Sequence, residues 1–362
     1  MKEAIVRPGT LVEIIDSPIP VPKADQVVIK VICSGCNPKD FKVPEWTKIS
    51  MNQGDDIAGV VHSVGQNVTE FKPGDRVAAF HEFLTPHGSW AEYSVAWGYT
   101  TFHLPARTSF EEAATIPLAA MTAAVGLYLT LGLPEPWRPL HTGRPLIIYG
   151  ASGAVGSFAI QLAQLSNIHP IIAVAGKARD HVEKLIDRSK GDTICDYRNG
   201  DDALASEMQE ALKTTGHDKV EYALDCMSEK AKGSYPNILK VLDPKGQICL
   251  IQNYDPKDMP ESITHTRATV RWVHQNINTY AGMSSGPEEI PNLTDSVTGC
   301  RDFGYVMYRF FGQALEKGFL KGHPHKVVVG GLGGVQTALN DLKSGQASGV
   351  KYIFQIADTR GV

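Results

Sequence analysis

Short apolar runs broken by Pro and Gly open the chain: VVIKVIC over 27–33, IAGVVHSV over 57–64, RVAAF over 76–80 and AEYSV over 91–95. Runs this short, with turn residues between them, predict an irregular and largely antiparallel β region. The texture changes near residue 111, where EEAATIPLAAMTAAVGLYLTLGL is long, Ala- and Leu-rich and helical in character. A domain boundary is expected there. From 146 onward strand-like and helix-like stretches alternate, with strands at 146–149, 171–174, 193–195, 222–225 and 248–251 and helices at 155–164, 181–188, 204–214 and 231–242. Continuously apolar strands alternating with helices predict a parallel sheet covered on both faces, a doubly wound α/β domain. Beyond 267 the alternation fades. Residues 269–280 read as one more strand, 282–299 as an exposed turn-rich loop, 302–318 as a helix, 326–329 as a strand, 335–344 as a helix and 351–356 as a closing strand. This tail has no core of its own, so the simplest arrangement returns it to the N-terminal β region and leaves the α/β unit inserted between the two halves.

Composition narrows the class. The 362 residues are 43% hydrophobic and 20% charged, enough for two domains with a core in each. Thirty-five basic against 39 acidic residues give a net charge of −4 and no large single-sign field, which argues against nucleic-acid and membrane-surface partners. Six scattered cysteines (Cys33, Cys36, Cys195, Cys226, Cys249, Cys300) suit a reducing compartment better than a disulfide scaffold. The opening MKEAIVRPGTLVEII lacks the basic and apolar regions of a secretory signal, and no apolar run is expected to approach the ~20 residues of a membrane span. The expectation is a cytoplasmic protein.

Candidate chemistry begins where LIIY runs into Gly150-Ala151-Ser152-Gly153-Ala154-Val155-Gly156 and then into a helix. Strand, Gly-rich turn and helix in that order form a dinucleotide fingerprint, here in the variant AxGxxG. The turn lets the backbone approach a pyrophosphate, and the helix N-terminus offers it unpaired N–H groups, so Gly150, Ser152, Gly153, Ala154 and Val155 are the expected contacts. About 20 residues on, where an NAD site carries an acidic residue for the ribose 2′-hydroxyl, the chain reads Val174-Ala175-Gly176-Lys177-Ala178-Arg179, with no carboxylate until Asp180. Lys177 and Arg179 can pair with a 2′-phosphate, which predicts NADPH.

Further landmarks are Asn37-Pro38-Lys39-Asp40, Gly54-Asp55-Asp56-Ile57-Ala58-Gly59, Pro73-Gly74-Asp75-Arg76-Val77, Gly88-Ser89-Trp90-Ala91-Glu92-Tyr93, and the stretch from Ile116-Pro117 to Ala124. Together with the AxGxxG turn they give the chain a resemblance, over nearly its whole length, to the medium-chain dehydrogenase/reductase superfamily. It is most similar to the zinc-independent quinone-reductase-like branch, and within that to the fungal trans-acting enoyl reductases and ToxD-type proteins. The resemblance implies a GroES-like β-rich catalytic domain over 1–117 and 275–362, with a Rossmann domain inserted over 118–274. It places Tyr197 with Lys177 around the 2′-phosphate and adds Lys351 to the cofactor set.

In the zinc-dependent relatives a Cys and a His hold the catalytic metal where this chain has Asn37 and Asp55. An amide and a carboxylate are a poor set for tetrahedral zinc, so no metal is expected. Hydride addition to a C=C conjugated to a carbonyl, or to a quinone, then needs only donors that hold the enolate charge. The resemblance offers Asn37, Lys42 and Thr122 as those donors, with Asp40 orienting their loop. His81, His87 and His103 show no ligand spacing and are expected at the surface or a pocket rim. The implied function is an NADPH-dependent reductase of enoyl thioesters, enones or quinones in fungal polyketide-type metabolism. Its substrate is a small molecule or is carried by an acyl carrier, a polyketide synthase is a possible partner, and the protein is a monomer or homodimer. Alcohol or ketone oxidoreduction, or NADPH binding without turnover, are the alternatives.

Overall fold

The computed structural model describes residues 1–230, 233–274 and 299–362. Among these, 1–121, 271–274 and 299–362 form one compact unit, and 122–230 with 233–270 form another.

The first unit is built on β strands. A hairpin pairs β1 (Lys2–Arg7) with β2 (Leu11–Asp16), and β3 (Gln26–Gly35), β4 (Asp56–Val64), β5 (Arg76–Phe80), β6 (Tyr93–Trp97) and β7 (Thr101–His103) follow. Helix α1 (Lys39–Thr47) lies between β3 and β4, while α2 (Phe110–Ala113) and the start of α3 (Pro117–Ala124) come after β7. Alternate residues of β3, among them Val27, Ile29 and Val31, enter one core with Ile57, Val77, Trp90 and Phe354. Trp90 and Phe354 meet edge to face with ring centroids 5.6 Å apart, a geometry that adds to the area they bury.

The second unit alternates strand and helix: β8 (Leu146–Tyr149), α4 (Ala154–Leu165), β9 (Ile171–Ala175), α5 (Arg179–Glu183), β10 (Thr193–Asp196), α6 (Asp201–Thr214), β11 (Val220–Asp225), α7 (Ser234–Val241), β12 (Leu242–Leu250) and β13 (Thr264–Arg267). All six strands are parallel, in the order β10-β9-β8-β11-β12-β13. The chain reverses direction across the sheet between β8 and β11, the place where doubly wound sheets bind ligands beyond their strand C-termini. The four residues of β8 are fully buried, as the unbroken apolar run requires.

The chain then returns to the first unit with α8 (Gly299–Lys317), β14 (His325–Val327), α9 (Val335–Lys343) and β15 (Lys351–Gln355). The large sheet of that unit runs β14-β15-β3-β4-β5-β7, with β6 also on β3. Gly35 of β3 faces Ile353 of β15 on one side and Asp56 of β4 on the other.

Several details differ from expectation. The first unit extends to Met121 rather than 117 because Leu118 N–H donates to Asp56 Oδ1 (2.8 Å) and Pro117 O accepts from Tyr308 Oη (3.1 Å). Residues 271–274 also belong to it: the Arg271 guanidinium lies 4.8 Å from the Phe83 ring centre and His274 packs on Phe80 at 4.7 Å. Instead of a strand, 270–274 form a 3-10 turn. The rest of the 269–280 strand, the 282–299 loop except Gly299, which opens α8, the boundary at 275 and the start of the helix at 231 lie outside the described residues. A helical stretch over Phe110–Thr130, 21 residues long, is apolar enough by length and composition to cross a membrane, contrary to the expectation that no run approaches that size; 94% of its apolar window is buried inside the protein. His81 is likewise no surface residue: it is buried, its Nδ1 lies 2.7 Å from Val95 O, and burial lowers its pKa.

Candidate active site

The loop from β3 into α1 carries most of the expected chemistry of the first unit. Asn37 is buried, and its carboxamide is held from two sides: Nδ2 donates to Asp56 Oδ2 at 2.6 Å, and Oδ1 accepts from Lys351 Nζ at 3.0 Å. Lys351 Nζ also donates to Asp56 Oδ2 (2.7 Å) and to Thr115 O (3.3 Å). Three acceptors therefore meet the three N–H groups of that ammonium. Lys351 was expected among the cofactor ligands, but it sits in the first unit with its donors fully engaged there.

A second ammonium, that of Lys39 at the start of α1, is also held by carboxylates. Lys39 Nζ pairs with Asp40 Oδ1 at 2.9 Å and with Asp55 Oδ2, and donates to Gln53 O at 2.6 Å. The Asp40 side chain is 0% exposed and that of Asp55 3%. Burial pushes both carboxyls up, Asp40 to about 7 and Asp55 to about 6, with Lys39 pulling against it in each case. Burial also acts to lower the Lys39 pKa, but the two carboxylates outweigh it and the ammonium is held charged. Asp40 orients the loop directly, since its Oδ2 accepts the Asn37 N–H at 2.6 Å. Lys42, one turn along α1, is half-buried with its ammonium 6.0 Å from the Phe41 ring centre.

The second unit presents the Gly-rich turn. Gly150 adopts φ +78°, a region open to glycine, and a Cβ on Gly156 would sit 2.4 Å from Gly150 O and 2.7 Å from Ala151 Cα. Only glycine lets α4 start this close to the turn. Gly153 caps α4 without a side-chain hydrogen bond, so the first-turn N–H groups around Ala154 and Val155 remain available to an anion, with Ser152 alongside. At the end of β9, Gly176 lies against Tyr197, whose ring is 45% exposed; a Cβ there would fall 2.6 Å from the ring. Lys177 and Arg179 are exposed beside it. Asp196 pairs with Arg198, whose hydrogen bond pushes its carboxyl down to about 2, with Arg179 also acting to lower it. Thr122 is buried in α3 and belongs to this unit.

The alcohol dehydrogenase GroES-like domain model matches residues 23–106. The trans-enoyl reductase fsr4 of Gibberella fujikuroi is 48% identical over 338 residues, 91% of this chain and 91% of that one. The chain belongs to the fungal trans-enoyl reductase branch of the medium-chain dehydrogenase/reductase superfamily. This trans-enoyl reductase family member is accordingly an oxidoreductase. It is also 27% identical over 358 residues to lovC of Aspergillus terreus, the enoyl reductase component of lovastatin nonaketide synthase, across 94% of this chain and 92% of lovC. In fold it resembles the Escherichia coli quinone oxidoreductase complexed with NADPH, with TM-score 0.70 and 18% identity over 98% of this chain and 100% of that one.

The structure thus gathers Asn37, Asp40 and Lys351 into one cluster. Lys39, Asp56 and Thr115 are members that sequence reasoning did not assign to the site. Lys39 stands inside the Asn37–Asp40 motif, where its position next to Pro38 and between two predicted site residues was the available signal.

Proposed function

We propose that the protein is an NADPH-dependent, zinc-independent reductase of C=C bonds conjugated to a carbonyl, acting on an enoyl thioester or enone, or on a quinone. The observation that carries this reading is the pair of lysine ammoniums that engage the two metal-ligand positions. Positions 37 and 55, the metal-ligand positions of zinc-dependent relatives, hold an amide bonded to Lys351 and a carboxylate paired with Lys39. Cations of the protein itself already engage both groups, by a hydrogen bond to the amide and a charge pair to the carboxylate, and the set does not fit a tetrahedral zinc. When bound, NADPH supplies the hydride. The uncapped start of α4 and the Gly-rich turn suit its pyrophosphate, and Lys177, Arg179 and Tyr197 suit its 2′-phosphate. As hydride adds to the β-carbon of the substrate, the π electrons move onto the carbonyl oxygen. Asn37 and Lys42 are the donors that hold that charge, and the α-carbon then takes a proton from solvent. The likeness to lovC supports a synthase-linked role in fungal polyketide-type metabolism, with substrate delivered free or on an acyl carrier in the cytoplasm.

The test follows NADPH and NADH oxidation by metal-analysed protein against an enoyl thioester, a quinone and a ketone. The expected result is turnover of the enoyl thioester or quinone with NADPH preferred and no stoichiometric zinc. Bound zinc at one per chain with turnover of the ketone alone would overturn it, and nucleotide binding without any turnover would leave only a binding protein.

A further inference from the structure

We infer that Lys351 and Asp56 are positioning residues that fix the Asn37 carboxamide as a hydrogen-bond donor to the substrate oxygen. The inference rests on the reductase reading above. A carboxamide has two nearly isosteric ends, and a side chain free to rotate presents either its oxygen or its nitrogen. At Asn37 charge decides between them: the oxygen meets the Lys351 ammonium at 3.0 Å and the nitrogen meets the Asp56 carboxylate at 2.6 Å. Reversing the amide would set N–H against ammonium and carbonyl against carboxylate. Asp56 Oδ2 takes one of the two Nδ2 hydrogens, which leaves the second as the donor the site can offer.

The frame behind this pair is rigid. Gly35 stands between β15 and β4 in the sheet, and a Cβ there would fall 2.8 Å from Lys351 Cε, 3.0 Å from Asp56 Oδ2 and 2.4 Å from Ala114 O. Glycine is what allows the ammonium and the carboxylate to meet across that strand. The far oxygen of Asp56 is held by the Leu118 N–H at 2.8 Å, and the Lys351 backbone N–H is held by Pro324 O at 2.8 Å. All three N–H groups of Lys351 and both oxygens of Asp56 are already engaged within the protein, so these two residues act through Asn37 rather than on substrate.

The experiment compares wild type with Lys351→Met/Asp56→Asn, which removes both buried charges together, with Lys351→Arg, and with Asn37→Ala alone and combined with the double change. Steady-state reduction of an enoyl thioester, NADPH affinity by fluorescence titration and thermal melting are read for each. The double variant is expected to lose roughly 10- to 100-fold in kcat through misplacement of one donor, with KM and NADPH affinity little changed. Lys351→Arg should recover most of kcat. On the Asn37→Ala background the double change should cost nothing further, a non-additivity that general loosening of the fold would not produce. Should the double variant not fold, Lys351→Gln, which keeps a neutral donor to Asp56, carries the same comparison. Wild-type kcat in the double variant, or losses that add to those of Asn37→Ala, would overturn the inference while the reductase reading stands. Loss of NADPH affinity at unchanged kcat would overturn it too and return Lys351 to the cofactor. Failure of wild type to reduce any activated C=C would remove the reductase reading first, and this inference with it.

Discussion

Replacing Lys39 by Met removes one ammonium from between two buried carboxylates, and the cost should depend steeply on pH. In wild type, three oxygens surround Lys39 Nζ: Asp40 Oδ1, Asp55 Oδ2 and Gln53 O. Deleting one partner of a buried ion pair costs about 3–5 kcal/mol when the other stays charged. Here the remaining groups can escape that cost by taking up protons. Both carboxyls are already raised by burial in the presence of Lys39, to about 7 and about 6, and without it they rise further. Between pH 4 and pH 8 the folded variant then binds protons that the unfolded chain, with ordinary carboxyls, has released. Stability therefore falls as pH rises, by up to about 1.4 kcal/mol per pH unit for each extra proton held. Wild type shows the same trend more weakly, levelling off above about pH 7. The expected penalty of Lys39→Met is about 1 kcal/mol at pH 5 and about 3–5 kcal/mol at pH 8. Urea titrations at pH 5, 6.5 and 8 measure it, followed by tryptophan fluorescence, since Trp46, Trp90, Trp97 and Trp272 all belong to the first unit. Adding Asp55→Asn to Lys39→Met should restore much of the loss at pH 8. A penalty equal at pH 5 and pH 8, or no penalty at pH 8, would refute the view that Lys39 neutralises these two carboxylates.

The cofactor edge gives two further expectations. Lys177→Ala should weaken NADPH about 10-fold, the worth of one exposed charge-assisted contact, and leave NADH within twofold; calorimetric titration of both nucleotides checks it, and an unchanged NADPH affinity would count against the 2′-phosphate site. Gly156→Ala, whose Cβ would meet Gly150 O at 2.4 Å, should lower the melting temperature by several degrees and abolish saturable nucleotide binding. Wild-type binding in that variant would show that α4 does not need its close start.

The parallel unit was legible because its signals are local. Buried strands such as LIIY are apolar at every position and end in a turn that only glycine can make. The first unit hides more. Its opening hairpin carries Leu11 and Ile14 outward, 58% and 41% exposed, so no alternation of faces announces it. Helix α1 contains Pro44, which removes an internal N–H and argues against a helix in any sequence pattern. At the site, Asn37 and Asp40 were pointed to by the family resemblance of their segment, whereas Lys351 and Asp56 are 295 residues apart and meet only because β15 and β4 flank the same strand. A pairing made by sheet register leaves no mark in local composition.

That register also sets an order of events during synthesis. Strands β8 to β13 all lie within 146–267, so the inserted unit has its complete sheet available while β15 has yet to be made. The first unit does not: until residues 351–355 leave the ribosome, the Cys33–Gly35 end of β3 lacks its neighbour and Asp56 has no ammonium to face. An open strand edge beside an uncompensated carboxylate is a poor place to form a final core, and long-range pairing of this kind is slow. The unit that opens the chain is thus the one that finishes folding last, and during that wait the apolar helical stretch over Phe110–Thr130 needs shielding from other chains.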